Sequence, residues 1–185
     1  MSAQQDPPGE KSPQPPTSIL GEGNWVQLLR KGRWEYAVRI RGRRAVTIAA
    51  CTDAGELVLV EQPRAAVGTT TIELPAGLVG DEDDSESDAR AASRELEEET
   101  GFRAGRLEQV AEGCCSAGIT DEMVTVFVAH DLQRVGPGGG VDGEDITVHL
   151  VPLPDAESWL AAQAQSGKII DLKVYDGIYW VRGRR

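Results

Sequence analysis

The chain of 185 residues carries 30 acidic against 19 basic side chains, for a formal net charge of -11. Ten of the acids, with only two arginines, crowd into residues 80–102, so the acidity is local and argues against the basic surface that nucleic acid or an anionic membrane would require. The length suits one domain with a sizeable core and excludes two full ones, and no stretch approaches the ~20 apolar residues that span a bilayer.

In chain order, residues 1–18 (MSAQQDPPGEKSPQPPTS) have almost nothing to bury and predict a disordered tail. With no basic stretch leading into an apolar one at the start, the expected setting is the cytoplasm. WVQLLRKGRWEYAVRI, from Trp25, predicts a hairpin breaking at Lys31-Gly32, and AVTIAACTDAGELVLVEQ, from Ala45, repeats that form around Asp53-Ala54-Gly55. TTTIEL, residues 69–74, is a further strand. The period then changes: Asp84 or Ser85 can cap a helix whose apolar side is Ala89, Ala91, Ala92 and Leu96, stopped at Thr100-Gly101. Strands resume at RLEQVAEGCC, EMVTVFVAHDL and ITVHLVPL, with a glycine-rich loop, residues 135–145, before the last. One helix is expected around Ala156 to Gln165 and another after Asp171. Strands, helix, strands, helix describe a mixed sheet flanked by helices. Cys51, Cys114 and Cys115, odd in number and without ligand spacing, are expected to be unlinked thiols packed in the interior of a protein from a reducing compartment.

Glu95, Glu98 and Glu99 stand at i, i+3 and i+4, which places their carboxylates on one helical face. Only Arg90 and Arg94 are near to offset them. A cluster of hard oxygen donors suits Mg²⁺ or Mn²⁺, because a divalent cation relieves the repulsion and keeps positions open for water and phosphate. On spacing alone, a solvated acidic helix is the alternative. The spacing has company: Glu86 lies eight residues before Arg94, and Gly80 six residues before Glu86. The pattern G-x5-E-x7-R-E-U-x-E-E-x-G-U, with U bulky and apolar, runs from Gly80 through Arg94-Glu95-Leu96-Glu97-Glu98-Glu99-Thr100-Gly101-Phe102. Average residue usage gives roughly 10⁻⁹ per starting position for such a match. It resembles the Nudix box.

The resemblance implies an α/β/α sandwich of the α+β type with a mixed sheet, accompanied by a small N-terminal antiparallel sheet, and a hydrolase of nucleoside diphosphates linked to a further moiety. It implies Mg²⁺, with Mn²⁺ as a substitute, held principally by Glu95 and Glu99 with Glu98 supporting and Glu86 assisting, and Arg94 steadying the helix acids by ion pairing. Gly80 and Gly101 would shape the turns at either end.

Glu73-Leu74-Pro75-Ala76-Gly77 and Glu61-Gln62-Pro63-Arg64 are similar to the branch of the family that acts on ADP-ribose and nucleoside diphosphate sugars. In that branch the Ala76 carbonyl would be a further metal ligand and Arg64 would meet the diphosphate, a task suited to a forked guanidinium. Relatives also imply a homodimer through the N-terminal sheet, residues 19–43, ahead of a hydrolase domain over 44–185. Trp25 and Trp34 would then stack on the nucleobase, with Glu35 and Arg39 as polar neighbours; two core tryptophans of a hairpin are the other reading. The position of Glu144 implies a mobile general base, which the glycine-rich loop would let swing toward the metal-bound water and so count among the metal ligands, with Glu98 as the alternative base. The branch commonly has Ser-Pro-Gly downstream of the box, whereas this chain has Ser116-Ala117-Gly118, which raises nucleoside diphosphate hexoses beside ADP-ribose. A non-catalytic nucleotide-binding domain and a triphosphatase are the rival readings, the latter disfavoured by Pro75-Ala76-Gly77 and the N-terminal sheet.

Overall fold

A computed structural model describes residues 15–42, 44–80, 83, 85–141 and 143–183. Most of the expected tail, together with Asp84, lies outside them. The segment taken as tail does not run to 18, however, because Thr17 already opens the first strand.

The strands are β1 Thr17–Glu22, β2 Val26–Lys31, β3 Trp34–Arg39, β4 Arg44–Ala50, β5 Glu56–Arg64, β6 Thr69–Glu73 and β7 Ala76–Leu78. Helix α1, Asp88–Thr100, comes next, followed by β8 Phe102–Cys114, β9 Met123–Arg134 and β10 Thr147–Pro152. The chain closes with α2 Ala156–Gln165, β11 Ile169–Ile170 and α3 Lys173–Arg182. They form an antiparallel sheet β1-β2-β3 and two four-stranded sheets, ordered β10-β5-β6-β11 and β7-β4-β9-β8. β4 runs parallel to β9, and β11 parallel to β6, so both larger sheets are mixed.

The hairpin at Lys31-Gly32 is present as β2 and β3. The second expected hairpin is not: β4 and β5 part into different sheets, bridged at Cys51 and Leu57. Both strands are buried on both faces over most of their length, which suits central strands with a neighbour on each side better than a two-stranded hairpin.

Alternation along these strands feeds two cores. Val46, Ile48, Ala50 and Val58 pack with Ala91, Ala92 and Leu96 of α1. Ala49, Leu57 and Leu59 pack instead with Leu160 of α2 and with Val174, Ile178 and Val181 of α3. The sheets thus lie between α1 on one side and α2 with α3 on the other. Leu96 is fully buried, and Leu96→Ala is expected to cost about 2–5 kcal/mol.

In α1 the capping residue is Ser87, whose Oγ accepts from the Arg90 N–H at 3.4 Å; Ser85 instead closes a turn on Asp83. Ala89 is exposed, against the expectation, whereas Ala91, Ala92 and Leu96 are buried as expected. Gly101 ends the helix in the left-handed region at φ 71°. Cys114 and Cys115 are exposed and Cys51 half-buried, so the expected interior packing fails for the first two.

Candidate active site

Arg94 organises the start of the site. Its Nη1 donates to Glu95 at 2.8 Å and to Glu98 at 3.0 Å, and its Nε donates to Glu86 at 3.1 Å. Its Nη2 reaches the Leu78 carbonyl at 3.2 Å, and Glu86 in turn accepts the Gly80 N–H at 3.2 Å. One guanidinium therefore ties the loop after β7 to the helix acids. Burial works against its charge, but the bonds to Glu86, Glu95 and Glu98 and the charge of Glu95 hold its pKa above the ordinary arginine value.

Beside this clamp lies a cleft of about 350 Å³ that Arg39, Arg64, Ala76, Glu95, Glu99 and Glu144 all line. Glu99 is only 4% exposed and accepts the Ala76 N–H at 3.1 Å. Desolvation pushes its carboxyl up to about 8; the Ala76 bond opposes this, and the charges of Glu95 and Glu144 add to it. Glu95 is pushed up to about 7, again by burial first, which outweighs the Arg94 pairing. Its carboxylate lies against the Gly77 backbone so closely that a Cβ there would fall 1.9 Å from the carboxyl carbon. Glycine at position 77 follows from that approach.

Glu98 does not enter the cleft; it flanks a shallow depression with Glu86 and Arg94 on the outer side of the helix. Trp25, Trp34 and Glu35 do not line the cleft either. The two tryptophans are 72% and 62% exposed, which removes the core-tryptophan reading within one chain. Glu35 pairs with Arg30 at 2.6 Å, and the Arg33 guanidinium lies over the Trp34 ring at 4.9 Å.

Sequence reasoning assigned no role to three charged residues of the cleft wall, Glu73, Glu122 and Lys173. Glu73, 5% exposed, accepts Arg64 Nε at 2.7 Å and Nη2 at 2.8 Å, and takes the Thr71 hydroxyl as well. Burial raises its pKa, but these bonds more than offset it and hold Glu73 below the ordinary carboxylate range. Glu122 accepts Arg39 Nε at 2.6 Å, and Lys173, at the start of α3, pairs with Asp171. The Glu73 signal was present in Glu-Leu-Pro-Ala-Gly; Glu122 and Lys173 come from distant segments and carry no local signal.

The loop before β10 is more constrained than its composition suggests. Gly139 and Gly140 donate their N–H groups to the carbonyls of Glu99 and Glu98 at 2.8 and 3.0 Å, while Val135 and Gly136 donate to Gly101 at 2.8 and 3.2 Å. Arg134 adds bonds to the carbonyls of Gly136 and Pro137 at 3.0 and 2.9 Å. Its first half therefore caps the end of α1 and does not swing freely. Glu144 follows, with one carboxylate oxygen accepting the Val141 N–H at 3.1 Å.

The donor set fits a hard divalent cation: deeply seated carboxylates, raised in pKa, with no bulk at Gly77 to fill the space beside them. Among the described residues, no three His, Cys, Asp or Glu side chains already stand together as a ligand group. Glu95 and Glu98 are held by Arg94, and Glu99 by the Ala76 N–H.

A family model described as the NUDIX domain matches residues 41–172. The chain belongs to the NUDIX family. Among its NUDIX relatives, the ADP-ribose pyrophosphatase of Bacillus subtilis (strain 168) is 36% identical, over 60% of each chain; this chain thus spans about three fifths of that protein. The ADP-sugar pyrophosphatase of Mus musculus is also 36% identical, over 85% of this chain and 81% of its own. The GDP-mannose pyrophosphatase of Enterobacter sp. (strain 638) is 33% identical, over 77% and 78%. A solved structure described as an ADP compounds hydrolase superposes with a TM-score of 0.73 over 96% of each chain at 19% identity, which shows the shared fold. No helix among the described residues is long and apolar enough to cross a membrane.

Proposed function

We propose that this NUDIX protein hydrolyses the diphosphate bond of ADP-ribose or a related nucleoside diphosphate sugar, releasing a nucleoside monophosphate and a sugar phosphate. The observation that carries this is a single cleft lined at once by the acids Glu95, Glu99 and Glu144 and by the cations Arg39, Arg64 and Lys173. Such a cleft matches a cation-bound diphosphate, and the names of the relatives support the substrate class.

The Ala76 carbonyl, Glu95 and Glu99, with Glu144 beside them, would hold Mg²⁺, Glu98 supporting them from the outer side of the helix, and Mn²⁺ would serve in its place. Bound there, the cation supplies Lewis-acid stabilisation of phosphate charge and a more acidic water. The remaining work falls to the chain. Arg64, braced by Glu73, turns the outer edge of its guanidinium to the phosphate oxygens. Arg39 and Lys173, paired with Glu122 and Asp171 before substrate arrives, exchange those partners for the diphosphate. Glu144 accepts the proton of a water attacking phosphorus in line. Arg94 keeps Glu95 and Glu98 in register as this happens. The bond between phosphorus and the bridging oxygen breaks, the leaving phosphate departs as a monoester, and no covalent bond to the protein forms.

Specificity for the nucleobase is assigned to a homodimer. Ile19, Leu20, Trp25, Val26, Leu28 and Trp34 are exposed on and beside the N-terminal sheet, more apolar surface than a lone sheet keeps in water. A second copy covering that sheet would bring Trp25 and Trp34 to a base in the adjoining cleft, with Glu35 as a polar neighbour. A reducing, cytoplasmic setting accords with exposed Cys114 and Cys115.

Product analysis with Mg²⁺ and an equimolar panel of ADP-ribose, ADP-glucose, UDP-glucose, GDP-mannose, NADH and dGTP tests the reading. Preferential conversion of ADP-ribose to AMP and ribose phosphate is expected. The second reading, a nucleoside diphosphate hexose as substrate, is favoured by Ala117 in Ser116-Ala117-Gly118 and by the GDP-mannose pyrophosphatase relative; it predicts preferential cleavage of a hexose conjugate. No cleavage of any member would leave a nucleotide-binding domain without catalysis.

A further inference from the structure

We infer that Gly138 and Gly140 are positioning residues, which lock the loop carrying Glu144 onto the last carbonyls of α1 and so fix the base relative to the acids of that helix. This rests on Glu144 as the base proposed above.

A helix ends with carbonyls that lack partners within the helix. In α1 the Glu97 carbonyl is taken by the Gly101 N–H at 2.8 Å, but those of Glu98 and Glu99 are taken by Gly140 and Gly139, some forty residues further on. Glu99 also contributes its carboxylate to the cleft, and the Glu98 carboxylate is held by Arg94 beside it. The backbone of the acid-bearing turn and the backbone of the base-bearing loop are thus one hydrogen-bonded unit.

Two contacts show that this unit tolerates no side chain. At Gly138, with φ 71°, a Cβ would stand 2.4 Å from the Thr100 carbonyl carbon and 2.8 Å from the Glu99 oxygen. Those are backbone atoms of the helix end, and they cannot yield without breaking the cap. At Gly140, with φ 83°, a Cβ would stand 2.6 Å from one Glu144 carboxylate oxygen and 2.7 Å from the Glu144 Cβ. Gly140 is the seat on which the base rests. The next residue, Val141, bonds Glu144 twice, through its N–H to the carboxylate at 3.1 Å and through its carbonyl to the Glu144 N–H at 3.0 Å. The line from the α1 carbonyls to the base is continuous.

The test compares Gly138→Ala, Gly140→Ala, Glu144→Gln and the double variant Gly138→Ala/Glu144→Gln in saturating Mg²⁺, with ADP-ribose or the panel member turned over fastest. It reads kcat, KM and, on metal-free protein, amide hydrogen exchange at positions 139 and 140. Gly138→Ala is expected to lower kcat at least about tenfold with KM kept within about twofold. Exchange at both amides should accelerate at least about tenfold as the cap opens. In the Glu144→Gln background the same change should cost less than about twofold more, because the group it positions is already gone. The methyl added by Gly140→Ala would meet Glu144 and Ile146 and no atom of the helix, so this variant should lower kcat without accelerating exchange at Gly139, and it carries the test if Gly138→Ala fails to fold. Unchanged kcat in the glycine variants beside a slowed Glu144→Gln would overturn the inference and leave the base assignment standing. An equal loss from Gly138→Ala in both backgrounds would also overturn it, since the effect would not pass through Glu144. If Glu144→Gln turns over at the parent rate, the base assignment falls and the inference with it.

Discussion

The turn of α1 that carries Glu95 and Glu99 and the N-terminal sheet differ in almost every respect. The first is built inward: Leu96 is fully buried between the two acids, Arg94 spends its donors on three carboxylates and a carbonyl, and a distant loop closes the helix end. The second is built outward: every residue of β1 is exposed, alternate residues of β2 are, and Trp25 and Trp34 stand clear of the body of the chain. Position in the first region is held by many bonds inside one chain. In the second, side chains are presented with little to hold them, as suits a surface completed by something else.

Substitutions can break or sharpen that contrast. The largest effect is expected from Glu99→Gln, which should lower Mg²⁺-dependent turnover by about a hundredfold or more while keeping the bond from the Ala76 N–H, so that circular dichroism and Tm stay native. Normal turnover in that variant would sink the metal site. Next comes Arg94→Ala, which leaves Glu86, Glu95 and Glu98 without their shared cation. A loss of about 3 kcal/mol, or roughly 6–12 °C in Tm for a chain of this size, is expected by thermal melting; a shift under about 2 °C would show that the clamp contributes little.

A smaller effect is expected from pH. Glu95 and Glu99 are raised to about 7 and about 8 in the folded protein, above the ordinary carboxylate value they have when unfolded. Raised pKa values mean that the native state binds more protons, so stability is fully present below about pH 4 and is lost as pH climbs through 7 to 8. Melts in EDTA should therefore show Tm falling across that window, and added Mg²⁺ should flatten the fall. A rising Tm in EDTA would contradict the assignment. The smallest effect on the fold should come from Trp25→Ala and Trp34→Ala, within about 0.5 kcal/mol for the isolated chain, together with a shift toward monomer in light scattering and a raised KM. Unfolding of either variant as a monomer would erase the distinction between the two regions.

Much of the molecule was legible before its structure. The change from period two to a helical pattern at α1, and the spacing of Gly80, Glu86, Arg94, Glu95, Glu98, Glu99 and Gly101, are local facts that survive folding. The misreadings have a common physical origin. Ala89 and Ala91 are equivalent in hydrophobicity, and only the packing of the sheet decides which faces inward. The apolar runs of β4 and β5 do not record which strands they pair with. Glu98 shares a helical face with Glu95 and Glu99 by spacing, yet Arg94 draws it toward the outer depression. Glu122, Lys173 and the cap formed by Gly139 and Gly140 depend on contacts between segments far apart in the chain, which no local pattern encodes.

The alternation in β5 has a consequence for how the length of this protein can vary. Leu57 and Leu59 serve the core of α2 and α3, and Glu61 on the same side bonds His149 and Lys168. Val58 serves the core of α1, and Gln62 and Arg64 line the cleft. Deleting one residue between Val58 and Glu61 would exchange the faces of everything beyond it, placing the arginine behind the sheet and turning Glu61 to the face of Val58. Insertions and deletions are therefore tolerable in turns such as residues 65–68, whereas β5 can change length only two residues at a time.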